Sequence, residues 1–160
     1  MTATLEFTLN GKARQVEADP RRNLLEVLRE DLGLTGAKYG CGEGQCRSCM
    51  VLLDGRPIQS CLTRIDAVAG HRVETIEGLV DGERLHPVQR AFIEAGAMQC
   101  GYCVPGMILN TVALLRENDS PTRAEIIEAL DGNLCRCCGY GNILRAVELA
   151  AKSGKEAATR

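Results

Sequence analysis

The chain has 160 residues, 45% hydrophobic and 25% charged, with a formal net charge of −2, the composition of an ordinary globular protein of one domain or two small ones. No basic excess argues for nucleic-acid binding, and no run of about 18 or more apolar residues marks a membrane span. The first ten residues lack the basic-then-apolar order of a secretory leader, so a cytoplasmic chain is expected.

In the first half, Leu5, Phe7 and Leu9 alternate with Thr4, Glu6 and Thr8, the pattern of a half-buried strand. Asn10-Gly11 favours a tight hairpin turn, and Lys12–Ala18 is expected to return as the second strand. Asn23 is placed to cap a helix carrying Leu24, Leu25, Val27 and Leu28 and ending near Gly33. Residues 50–53 and 56–60, around Asp54-Gly55, read as another hairpin, and residues 72–76 as a last strand. A small mixed sheet with one helix packed across it accounts for this order.

The second half reads as all-α. His86-Pro87 starts a helix with the stripe Val88, Ala91, Phe92, Ala95, because proline suits the first helical position. Pro105 opens the next, with Ile108, Leu109, Val112 and Leu115; Thr122 with Glu125 is a capping box leading into Ile126, Ile127 and Leu130. Asn142 is expected to cap the last helix, ending near Gly154, with a polar tail from Lys152 that frays. Four such helices can share one core as a bundle. The chain thus divides into residues 1–78, a Gly/Asp/Glu-rich linker at 79–84, and a helical part at 85–160.

Nine cysteines stand at 41, 46, 49, 61, 100, 103, 135, 137 and 138. Their odd number, tight clustering and missing leader favour metal-bound thiolates over disulfides. The first set, Cys41, Cys46, Cys49 and Cys61, has the spacing C-x4-C-x2-C-x11-C, that of a plant-type 2Fe–2S site. Three thiolates from one loop must converge, and Gly40, Gly42 and Gly44 let the backbone wrap and aim N–H groups at sulfur. Zinc would more usually show paired knuckles. The second set, Cys100, Cys103, Cys135 and Cys137, is by itself compatible with a cluster, with zinc, or with a redox dithiol at Cys100 and Cys103. Each of its pairs precedes an expected helix, whose N-terminus suits an anionic centre.

The remaining polar residues have plainer readings. His71 is a surface residue and His86 a helix starter, neither spaced for a Rieske centre. Glu43 is a solvated loop residue, and Arg136 a surface arginine or a counter-charge between two ligands. No nucleophile–base pair or phosphate loop is visible.

The ferredoxin-like first half followed by L-H-P-V-Q, Q-C-G-Y-C-V-P-G-M and G-N-L-C-R-C-C-G-Y resembles the iron–sulfur subunit of the xanthine dehydrogenase, or molybdenum hydroxylase, family, from about Leu5 to Ala150. The resemblance implies an α+β protein: an N-terminal β-grasp plant-type ferredoxin domain followed by an all-α four-helix bundle. It implies two 2Fe–2S clusters, the outer on Cys41, Cys46, Cys49 and Cys61, the inner on Cys100, Cys103, Cys135 and Cys137, with Gln99 and Cys137 touching a pterin. It also implies a large partner subunit holding molybdopterin and oxidising an aldehyde, purine or other heterocycle, and a flavin-binding subunit with FAD as acceptor. The chain would carry electrons between them. Two positions depart from the pattern: Arg47, where the family usually has glycine, and Cys138, where it usually has threonine. A free-standing two-cluster ferredoxin and a zinc-stabilised interaction module are the competing functions.

Overall fold

The computed structural model describes residues 2–158. β1 (Ala3–Leu9) and β2 (Lys12–Ala18) pair antiparallel, with Asn10 and Gly11 at φ 49° and 76° in the turn. β3 (Met50–Leu53) and β4 (Arg56–Gln59) form the second hairpin, with Asp54 and Gly55 at 49° and 84°. Both turns put two successive residues in the left-handed region, which matches the twist of the flanking strands. β5 (Arg72–Glu74) runs parallel to β1 and antiparallel to β3, giving a five-stranded sheet of order β2-β1-β5-β3-β4.

Two strands end earlier than their residue patterns suggest. β4 stops at Gln59 because Ser60 turns inward, its Oγ donating to the Cys49 carbonyl at 2.6 Å. β5 stops at Glu74 because Asn10 captures Thr75: the Thr75 N–H donates to Asn10 Oδ1 at 2.8 Å and Asn10 Nδ2 donates to Thr75 Oγ1 at 3.0 Å. A 3-10 turn, Ile76–Leu79, follows; another at Ile65–Val68, which no periodicity announced, buries Ile65 and Val68.

Asn23 does cap a helix, accepting from the Glu26 N–H at 2.8 Å. The helical run stops near Gly33 as expected, but α1 (Leu24–Glu26) widens on the way into a π turn, Val27–Asp31, closed by the Leu32 N–H on the Val27 carbonyl at 3.1 Å. Arg29 ties the following loop to the helix, its Nη1 donating to the Thr35 and Ala37 carbonyls at 3.0 and 2.8 Å. Leu24, Leu25, Val27 and Leu28 all face the sheet, against Phe7, Leu9, Val51 and Val73; each such buried side chain contributes about 2 kcal/mol.

The second half contains α2 (Pro87–Glu94), α3 (Val104–Glu117), α4 (Arg123–Leu130) and α5 (Tyr140–Ala158). His86 caps α2, its Nδ1 accepting from the Val88 N–H at 3.2 Å while Gln89 Oε1 returns a bond to the His86 N–H. The Thr122–Glu125 capping box is present at α4. α2 packs along α5 and α3 along α4, around Phe92, Met107, Ile126, Ile143, Ala146 and Val147. Asn142 is not the cap of α5, which begins two residues earlier; its Nδ2 instead donates to the Gly96 carbonyl at 3.1 Å, tying α5 to the end of α2. Nor does α5 end at Gly154, since one interior glycine costs only about 1 kcal/mol; it reaches Ala158, and the last two tail positions lie outside the described residues.

The halves share packing. α3 lies on β3, Leu52 and Leu79 are buried in the helical core, and Arg116 of α3 forks onto Glu74 of β5 at 2.7 and 3.0 Å. Among the described residues no helix is long and apolar enough to cross a membrane.

Candidate metal centres

The loop from Gly40 to Cys49 curls around its own thiols. The N–H groups of Glu43, Gln45 and Cys46 point at Cys41 Sγ at 3.4, 3.2 and 3.4 Å, and the Cys41 N–H points at Cys46 Sγ at 3.3 Å. Gly40 permits the curl: a Cβ there would lie 2.5 Å from Cys46 Sγ. Cys61 arrives from the β3–β4 hairpin, held by Ser60 on the Cys49 carbonyl. The N–H groups of Cys46 and Glu43 bring the Cys41 thiol down to about 7, whereas burial, aided by the neighbouring Cys61, pushes Cys49 up to about 12. Four thiolates packed this closely would need a compensating positive charge, of the kind that ferric iron supplies when bound.

The second set gathers around the N-termini of α3 and α5. Cys103 is buried immediately before α3, while Cys135 and Cys137 lie on the turn before α5. Gly139 N–H points at Cys135 Sγ at 3.5 Å. Tyr140 braces the turn, its hydroxyl accepting from the Cys135 N–H at 2.8 Å and donating to the Asn133 carbonyl at 3.4 Å. The Tyr102 N–H and the Cys137 side chain lower Cys100, whereas burial and Cys135 push Cys103 up to about 12. Cys100, Cys103, Cys135 and Cys137 all line one small cavity, together with Gln99 and Gly139.

Gln99 and Cys137 are together, Gln99 Nε2 donating to the Cys137 carbonyl at 3.4 Å. Cys138 lies outside both groups: it is exposed, at φ 59°, with its thiol towards the Arg136 carbonyl. Glu43 and Arg136 are exposed, and His71 is bound to Asp54 at 2.6 Å, far from either cysteine set in role.

Spacing gave no sign of the seam between the two sets. The Leu134 N–H donates to the Cys46 carbonyl at 3.1 Å, Tyr102 Oη donates to the Tyr39 carbonyl, and Asn133 Nδ2 reaches the Arg47 carbonyl at 3.5 Å. A groove of about 350 Å³ runs along this seam past Cys46, Tyr102, Leu134 and Tyr140. A sequence signal existed only for the tyrosines, which sit inside the cysteine motifs at 102 and 140.

The 2Fe–2S iron–sulfur cluster binding domain family matches residues 7–76, and the 2Fe–2S binding domain family matches residues 75–148. The small FeS subunit of nicotinate dehydrogenase from Eubacterium barkeri is 45% identical over 149 residues, spanning 93% of this chain and 95% of that one. The chain belongs to the iron–sulfur subunits of the molybdenum hydroxylase family. Quinoline 2-oxidoreductase from Pseudomonas putida 86 contains a chain of the same fold, with TM-score 0.92, 42% identity and 97% of each chain covered. Aldehyde oxidoreductase from Desulfovibrio desulfuricans also matches at TM-score 0.92 and 41% identity, over 96% of this chain but 17% of that longer one. The iron–sulfur subunit of this family carries electrons, on a ferredoxin-like unit and a helical unit that each bind 2Fe–2S.

Proposed function

We propose that electrons enter this subunit beside Gln99 and Cys137, cross the seam, and leave from the first loop. Cys100, Cys103, Cys135 and Cys137 hold the inner 2Fe–2S cluster, and Cys41, Cys46, Cys49 and Cys61 hold the outer one. When bound, each cluster takes up and returns one electron. The chain does the rest. Backbone N–H groups of residues 43, 45 and 46 offset charge at Cys41, and that of Gly139 does so at Cys135. Gln99, exposed and anchored to the Cys137 carbonyl, presents the rest of its amide to a pterin edge.

The observation that carries this reading is the backbone contact between Leu134 and Cys46, because it joins a residue adjoining one set to a ligand of the other. The entry side belongs to a large molybdopterin-binding subunit. Relatives named for nicotinate and quinoline support an N-heterocycle as that partner's substrate class. The acceptor is a flavin-binding subunit carrying FAD. Free thiols in this number suit the cytoplasm.

The finer architecture is a β-grasp domain at 1–78, a linker at 79–84 and a four-helix bundle at 85–160. The parallel β1–β5 pair at the centre of the sheet and the shared core of α2 to α5 support it.

Purification of the native complex under anaerobic conditions tests the whole reading. A large subunit should co-purify, and substrate should bleach the visible iron–sulfur absorption. A colourless chain, or one that purifies alone, contradicts it.

A further inference from the structure

Arg47 lies between two cysteines of the first loop, yet its longest-range contacts are in the helical half. Its φ of 56° falls in the left-handed region, where a residue with a Cβ pays a steric cost that glycine avoids. Such a conformation persists only where its surroundings over-determine it, and here they do. The guanidinium donates to the carbonyl of Asp131, the C-cap of α4, where the helix dipole favours a cation. It stacks over Gly132 so closely that a Cβ at 132 would meet its Cζ and Nε at 3.0 Å. The Arg47 carbonyl presses on α3 at Gly106, where a Cβ would lie 2.4 Å away, and accepts from Asn133 Nδ2.

The segment 131–134, which leads directly into Cys135, is therefore gripped by adjacent residues of the first loop. Arg47 takes Asp131, and Cys46 takes Leu134. Between them, Asn133 is fixed from behind by the buried Asn110.

The geometry points to Arg47 as the positioning residue of the junction between the two clusters. By tying Asp131 to the first loop it keeps the Leu134 N–H on the Cys46 carbonyl and so fixes how the two cysteine sets face each other. Its cationic group, carried on the first loop beside Cys46, favours the more negative reduced state of the outer cluster that this loop would hold. This rests on the reading that both sets carry 2Fe–2S. An electron crossing the junction oxidises one cluster by one unit and reduces the other by one; no bond forms or breaks, and Arg47 neither gives nor takes a proton.

The full-length chain, purified anaerobically with its clusters, is compared as wild type, Arg47→Gly, Arg47→Lys and Arg47→Gln. Electron paramagnetic resonance of the fully reduced protein reads the magnetic interaction between the clusters, and a redox titration reads each potential. Arg47→Gly is expected to keep its iron, since no ligand is touched, yet to show an altered inter-cluster interaction and a lower outer-cluster potential, although its backbone strain is relieved. Arg47→Lys is expected to retain the wild-type potential and Arg47→Gln to lose it, so the pair decides the matter even if Arg47→Gly loads poorly. A merely structural arginine would move the unfolding temperature and leave potentials and interaction unchanged; wild-type values of both in Arg47→Gly or Arg47→Gln overturn the proposal. Two signals absent from the wild type itself would instead overturn the two-cluster reading.

Discussion

Tyr102 donates its hydroxyl hydrogen to the carbonyl of Tyr39, so a residue inside the second cysteine motif is fastened to the residue that opens the first cysteine loop. Tyr102→Phe removes only that bond. Both clusters should assemble, while urea unfolding should report a loss of about 1 kcal/mol. An unchanged midpoint would show that the contact adds nothing to the seam.

Two matching 2Fe–2S domain families call for two binuclear clusters, so the purified chain should contain about four iron and four sulfide. Iron, zinc and acid-labile sulfide analysis checks this. Zinc near two per chain with little sulfide would refute the iron–sulfur assignment.

Cys138 is exposed and turned towards the Arg136 carbonyl, whereas Cys137 lines the same small cavity as Cys100. Cys138→Thr should therefore keep both reduced-cluster signals in electron paramagnetic resonance, and Cys137→Ser should abolish or strongly change the inner one. Loss of a signal in Cys138→Thr would shift the ligand assignment by one residue.

Gln99→Ala leaves every thiol in place. Its signals should match the wild type, while reduction of the assembled enzyme by substrate slows several-fold, as expected for one hydrogen bond of about 1 kcal/mol. Rapid mixing, following iron–sulfur bleaching, is the measurement; an unaltered rate removes Gln99 from the junction with the partner.

His86 must be neutral to cap α2, because Nδ1 accepts from the Val88 N–H. Burial first, then Arg116, hold its imidazole below the ordinary 6.5, with Glu74 opposing. The unfolded chain therefore binds the proton more readily, and stability is complete above 6.5 and declines as pH falls below it. His86→Asn keeps a capping acceptor without a titrating ring. Its unfolding free energy should vary less between pH 7.5 and about 5.5 than that of the wild type, and an equal slope would rule the cap out as the cause.

Local signals in the sequence were read correctly wherever the cause was local. Asn10-Gly11 and Asp54-Gly55 need no partner to choose a left-handed turn, and Thr122 with Glu125 forms its capping box within one helical turn. Apart from α5 running on past Gly154, a single weak local stop, the errors occurred where a distant group intervened. Asn142 has the chemistry of a cap but is taken by the Gly96 carbonyl, and β5 ends because Asn10, sixty-five residues away, captures Thr75. The cysteine spacing singled out the first set and left the second open until the family resemblance was weighed, while the contacts joining the two run through main-chain atoms of Cys46, Arg47 and Leu134, which no residue pattern encodes.

The order of the sheet also sets a timetable for synthesis. β5 fills the gap between β1 and β3, and it is the last of the five strands to leave the ribosome. Cys41, Cys46, Cys49 and Cys61 all emerge before Val73 can pair with Leu9 and Leu53. Pairing across such sequence distances is slow. The nascent chain therefore displays its first four thiols on an unfinished scaffold until residue 73 arrives to close the sheet behind them.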